Sequence, residues 1–195
     1  LFRSGARITG WSGFPAIIWN GSASADWSNP ANWDQGVVPT AADSVVIPSF
    51  TSLMPTLAAP ATVRAVVNLA SSGAMDLQAT LTILERVVAG SEGAGLQCSA
   101  AGRIRFAATD TLRFSGDFFS CDVEVLSGVA AASGFVGVGD SLVVTGTGVL
   151  DVGSANLLVN GDLVTDQQGR LRMASAGGIV DVWGGAYFHG GSTAG

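Results

Sequence analysis

Gly148-Val149-Leu150-Asp151-Val152 is followed, 21 residues on, by Gly169-Arg170-Leu171-Arg172-Met173. Two more segments open the same way: Gly73-Ala74-Met75-Asp76-Leu77 and Gly102-Arg103-Ile104-Arg105-Phe106. In each, a glycine precedes an alternation in which every second residue is apolar. Period two marks a strand with one buried face. A second element recurs between the openers: Leu112-x-Phe114-x-Gly116-Asp117, Leu142-x-Val144-x-Gly146, Leu157-x-Val159-x-Gly161-Asp162 and Val180-x-Val182-x-Gly184. The gap between opener and second element drifts by a few residues. The period is therefore an imperfect ~20 to 30 residues, a length typical of repeat architectures.

One coil of two or three short strands cannot bury its own apolar positions. Coils stacked at about 4.8 Å bury them in continuous columns. Glycine suits the sharp corners, where positive φ angles are needed. The expected fold is all-β, a β-solenoid (parallel β-helix) of short strands. Leu150 should stack on Leu171 and Val152 on Met173 in its core. Asp76, Arg103, Arg105, Asp151, Arg170 and Arg172 should face outward. A β-sandwich or jelly roll alternates in the same way and is the alternative, but it does not explain the recurring opener. From Gly73 to Gly195 there is room for about six coils, a rod of roughly 29 Å. No window combines helical apolar spacing with freedom from glycine and β-branched residues.

Composition fits this reading. The chain has 195 residues, 48% hydrophobic and 12% charged, with 27 glycines. The charged share is about half the usual one. The net charge is −6, with nine arginines and no lysine. A nucleic-acid partner is not expected, because tracking phosphates needs a basic face. The missing lysine removes Schiff-base chemistry and the phosphate-loop lysine. No membrane span is expected, since no 18 consecutive residues are apolar. Cys98 and Cys121 lie 23 residues apart, about one coil, in candidate strands 95–100 and 120–126. Equivalent points on stacked coils are about 4.8 Å apart, inside the Cα range that a disulfide accepts. A disulfide is expected, with two buried thiols as the alternative.

Residues 11–50 have a different texture. Four of the five tryptophans lie there (Trp11, Trp19, Trp27, Trp33), with four of the six prolines. Asn, Asp, Ser and Pro between the tryptophans signal ordered loops. Trp19, Trp27 and Trp33 are expected to form the small core of a cap over the first coil, each ring supplying a large apolar area. A sugar-stacking platform is the sharper alternative for the same rings. Asp43 is expected to bond turn amides ahead of the strand Val45–Ile47. Calcium through Asp26, Asp34 and Asp43 is the minority reading, because no calcium-loop motif is present; otherwise no cofactor is expected.

The run Trp19-Asn20-Gly21, Asp26-Trp27, Asn32-Trp33, Gly36, Pro39 and Asp43-Ser44-Val45-Val46-Ile47 resembles the W-x-G…D-W…N-W…G…P…D-x-V-x-I pattern that opens many large bacterial surface proteins. These are autotransporter passengers, haemagglutinin-like adhesins and related β-helical repeat proteins. The resemblance is close over about 30 residues and loose over the later L-x-V-x-G-D elements. It implies an extracellular structural or adhesive protein at a bacterial cell surface. It would be a subunit of a filament or a segment of a large adhesin, with a cell-surface glycan as a candidate partner, and no catalytic residue.

A polysaccharide-binding or polysaccharide-cleaving β-helix is the competing class. Cleavage of this kind needs clustered aspartates with a histidine or an arginine base. His189, the single histidine, reads as an exposed turn residue, and Arg103, Arg105, Asp110 and Asp122 as ordinary solenoid surface. An enzyme is not expected. Three regions follow: an extension over 1–10, a tryptophan-rich cap over 11–50, and coils over 51–195. The last coil appears in the sequence without an amphipathic cap, and an uncovered coil is an open sheet edge. Leu1, Phe2 and Ile8 of the extension are expected to add to such an edge on a neighbouring subunit. End-to-end self-association follows, unless further coils of a longer chain take that place.

Overall fold

The computed structural model describes residues 16–70, 73–88, 95–99, 101–166, 168–173 and 177–189, with side chains for all of these except 115–119. The described residues are almost all strand. In chain order the strands are β1 (Ala16–Ile18), β2 (Ser44–Ile47), β3 (Thr56–Leu57), β4 (Ala61–Asn68), β5 (Met75–Leu77), β6 (Thr80–Val88), β7 (Leu96–Cys98) and β8 (Arg103–Ser120). Then come β9 (Asp122–Val138), β10 (Leu142–Val144), β11 (Val149–Asp151), β12 (Asn156–Val159), β13 (Leu163–Thr165), β14 (Arg170–Arg172), β15 (Ile179–Val182) and β16 (Ala186–Phe188). A short 3₁₀ turn covers Pro30–Asn32.

Every pairing between strands is parallel, and the pairings sort into three faces. One face runs from the first half of β4 through β6, β8, β9 and β10 to β13 and β16. A second runs from β1 through β2, the second halves of β4 and β6, and the middles of β8 and β9 to β11 and β14. The third runs from β3 through β5, β7 and the ends of β8 and β9 to β12 and β15. This is a β-solenoid of about six turns. β8 and β9 each wrap a whole coil, and their register slips at the corners, for example between Phe106 and Thr111.

The core is built from columns. Ile104, Val123, Leu142 and Leu163 are aligned on successive coils and all buried. Large and small residues alternate where space demands it. The Phe106 and Phe114 rings meet inside one coil, centroids 5.1 Å apart, and the next coil places Ala132 over Phe114. Corners are tight. A Cβ on Gly102, Gly148 or Gly169 would lie 1.8, 2.3 or 2.1 Å from a backbone carbonyl oxygen of the preceding coil, closer than any side chain tolerates.

Leu150 stacks on Leu171 in register, and Leu150 and Val152 are buried. Met173 departs from the expected core position, with 43% of its surface exposed, and Leu171 is half-buried. The reason is positional: among the described residues β14 pairs with β11 alone, and no described strand lies on its far side. The boundary at residue 50 is also displaced. β1 and β2 already belong to the second face, in register with β4, so the cap is a loop inserted between two rungs of the stack.

Candidate functional site

Three places gather the polar and aromatic side chains. The first is the cap, residues 19–43. Trp19, Trp27 and Trp33 are buried to 0–2% exposure. Their rings pack edge-to-face, with centroids 4.9 Å apart for Trp19–Trp33 and 4.8 Å for Trp27–Trp33, the geometry that aromatic quadrupoles prefer. Trp19 Nε1 donates to the Leu53 carbonyl at 2.7 Å and Trp33 Nε1 to the Trp27 carbonyl at 2.9 Å. Buried on both faces, these rings are core. The sugar-platform alternative for them is overturned.

Asn32 is the polar pivot of the cap. It is fully buried. Its Oδ1 accepts from the amides of Ala23 and Ser24, and its Nδ2 donates to the Asp26 carbonyl and to Ser24 Oγ, all within 3.0 Å. Two acceptor and two donor bonds use the full capacity of the amide. Asp43 accepts from the Thr40 amide and hydroxyl at 2.8 and 2.7 Å, the turn bond expected of it. Asp26 accepts from the Ser28 amide and hydroxyl, and Asp34 from the Ile18 amide. Asp26 and Asp43 thus clamp their own turns, while Asp34 ties the cap to β1. Among the described residues no three His, Cys, Asp or Glu side chains converge as a metal group. An open cleft of about 340 Å³ lies between cap and first coil, bordered by Asp26, Trp27, Pro39, Thr40 and Pro60.

The second place is the set of corners. At one corner, Asp122 Oδ1 accepts from the Ser141 amide, Ser141 Oγ accepts from the Asp162 amide, and Asp162 Oδ1 accepts from the Gly185 amide. Side chains of one coil thus satisfy amides of the next, across four coils. Asp166 works at another corner in the opposite sense, accepting from the Gly146 amide of the coil before and from the Gln168 and Gly169 amides of its own turn. These three amides, that of Gly169 foremost, favour the carboxylate and hold its pKa below the ordinary value. Arg105 pairs with Glu124 at 2.7 Å, Glu124 also accepts from Thr145 Oγ1, and Arg172 pairs with Asp151. Asp122 and Arg105, weighed in the sequence as members of a lytic site, are instead engaged in these inter-coil bonds. Cys98 and Cys121 form a disulfide across the same stack, with Cα atoms 4.9 Å apart. Cys98 ends β7, while Cys121 occupies the one-residue break between β8 and β9 rather than a strand interior.

The third place is the coil of β14, β15 and β16. Met173, Ile179, Trp183, Tyr187 and Phe188 are all exposed there. His189 is exposed, its amide bonded to the Thr165 carbonyl at 3.0 Å. The residues named for assembly, Leu1, Phe2 and Ile8, lie outside the described residues, as does Trp11. No known protein family, curated protein or solved structure matches the chain.

Proposed function

We propose that the chain is an extracellular structural and adhesive β-solenoid, a subunit of a bacterial surface filament or a segment of a large adhesin. The observation that carries the reading is the Cys98–Cys121 bond between equivalent points of consecutive coils. Structural disulfides persist in oxidising compartments and are rare in the cytosol. Further support comes from the tryptophan-rich opening pattern and from the three parallel ladders, which make a stiff, internally hydrogen-bonded rod. The polar side chains at its corners serve that stack.

The rod self-associates end to end. Leu171, Val180 and Val182 point into the core of the β14–β16 coil yet are only half-buried, and Phe188 is exposed. Among the described residues β14, β15 and β16 each have one strand neighbour. An edge of that kind templates further strands, and repeated head-to-tail contact yields open filaments. The added strands come from a second copy, through residues 1–10, or from further coils of a longer chain.

Deleting residues 1–10 and measuring mass by light scattering and shape by negative-stain microscopy tests this. Fibres that become monomers on deletion support the junction. Assembly unchanged by deletion refutes the N-terminal segment as the junction. Particles that never exceed one chain length refute self-association. Protease shaving of intact expressing cells tests the location, and a chain released only on lysis refutes it.

A further inference from the structure

Among the described residues five aromatic side chains are exposed, Phe50, Phe135, Trp183, Tyr187 and Phe188, and the last three belong to one coil. Among the described residues Trp19, Trp27 and Trp33 are buried, whereas Trp183 is 70% exposed. Tyr187, the chain's single tyrosine, is 50% exposed. Both rings point sideways from the rod. Val182 stacks on buried Val159, so Trp183, next in the alternation, faces out; Tyr187 stacks on the outward Val164. A coil added beyond β16 would therefore leave both rings on the lateral surface.

The two rings flank the Gly184–Gly185 corner. The Tyr187 ring lies against Gly185, where an added Cβ would come within 2.4 Å of it. Trp183 Nε1 reaches Asp181 Oδ2 at 3.4 Å, and both residues are exposed. The corner thus offers two flat apolar faces and one exposed carboxylate, whose Oδ2 accepts only the long bond from Trp183 Nε1 among the described residues.

We propose that this corner is a carbohydrate-stacking site. Trp183 and Tyr187 each take the apolar C–H face of a pyranose ring, and Asp181 accepts hydrogen bonds from its hydroxyls. The π face of an aromatic ring is electron-rich and attracts polarised C–H groups. The two residues are four positions apart, at most about 14 Å of chain, within reach of a short oligosaccharide. A protein partner fits less well. Rings of this type offer about 150–250 Å² each when fully covered, so the pair falls well short of the ~800 Å² per partner of a standard interface. The sugar is neutral, because Asp181 and a net charge of −6 repel an anionic polymer. It is β-linked with equatorial substituents, since such chains present flat faces. This rests on the adhesive half of the function proposed above; the structural half stands without it.

Titrating the protein with cellohexaose by calorimetry, alongside tryptophan fluorescence, provides the test. Saturable binding with Kd near ~1 mM and a blue shift of the exposed tryptophan emission are expected. Trp183→Ala should weaken binding at least about tenfold, or ~1.4 kcal/mol. Tyr187→Ala should weaken it less, and Trp183→Phe should retain it because the stacking face survives. Melting temperature should not change, since the rings are exposed. No saturable heat up to about 10 mM, a range covering weak ligands, overturns the proposal. So does wild-type affinity in Trp183→Ala, which would move the sugar to the cleft beside Trp27. Tighter binding of polygalacturonate than of cellohexaose overturns the neutral class. Rods that persist in the microscope while cellohexaose fails would leave the structural reading intact and remove only this site.

Discussion

Truncating Leu150 and Leu171 separately to alanine measures the stack from inside. Leu150 is fully buried, with Ala130 on the coil before it and Leu171 on the coil after it. Removing its side chain forfeits the transfer energy of three carbons and leaves a cavity. Ala130 is too short to fill that space, and the hydrogen-bonded rungs on either side resist collapse. Buried leucine-to-alanine changes cost about 2–5 kcal/mol, and a site that cannot relax belongs in the upper half, ~3–5 kcal/mol. Leu171 makes the same contact with Leu150 but is only half-buried. Only part of a leucine's ~1.5–3 kcal/mol burial energy is at stake there, so Leu171→Ala should cost ~1–2 kcal/mol. Urea unfolding at low protein concentration, followed by circular dichroism, would show midpoints displaced with little change in slope. A cost under about 1 kcal/mol for Leu150→Ala would mean that the register is off by one and the face assignment inverted. Equal costs at both sites would refute the uncovered coil. Recovery of the smaller value on dilution would then identify a second copy as the cover.

Reducing the Cys98–Cys121 bond, or replacing both cysteines by alanine, should lower stability by about 3 kcal/mol for a loop of this size; an unchanged urea midpoint after thiol labelling confirms full reduction would refute it. Gly102→Ala should cost about 1–3 kcal/mol, because its Cβ would overlap the Leu77 carbonyl; a melting temperature within error of wild type would mean the corner is looser than described. Asp166→Ala should destabilise at neutral pH. The folded-state acidity of Asp166 is stronger than its ordinary value of 3.8, so its contribution is complete above pH 4 or so and disappears as pH falls through the depressed value. Melting temperatures of wild type and variant should therefore converge as pH falls below the ordinary value of 3.8 and through the depressed one, and a gap that stays constant down to acid pH would contradict the amide clamp.

The strands and their parallel stacking were legible in the sequence, because alternation and glycine recur wherever a coil turns. What the pattern conceals is which face a segment occupies. The four openers that look like one repeat fall on three faces: Gly73 precedes a strand of the third, Gly102 of the first, and Gly148 and Gly169 of the second. Every corner imposes the same steric demand and every face buries alternate residues, so corners and faces write similar text. Outside the cap, coil lengths from 18 residues (Thr111 to Val129) to 27 (Arg86 to Arg113) blur the period further. The tryptophan cap was readable from composition, but the pivot Asn32 was not, since a buried asparagine looks like any loop asparagine. The Asp122, Ser141 and Asp162 ladder did carry a signal, a short polar residue recurring at coil spacing just before a buried apolar one. Met173 could not be placed correctly, because its exposure depends on what lies beyond its coil and not on its own alternation. Trp183 is a different case, because its outward position follows from the register of β15 on β12.

Pulled along its contour, a rod built of stacked coils gives up length one coil at a time, each step freeing the chain between one rung and the next. The bond from Cys98 to Cys121 spans one such step. The chain between the two sulfurs, 23 residues in sequence separation, would extend to about 80 Å if released, and the covalent bridge withholds that length from any load. Under tension the molecule therefore has one locked coil among peelable ones, next to the corner where β8 passes into β9, and a tear running along the stack must stop or detour there. Reducing conditions would return the withheld length, so the extension the rod can yield before rupture depends on the redox state of its surroundings.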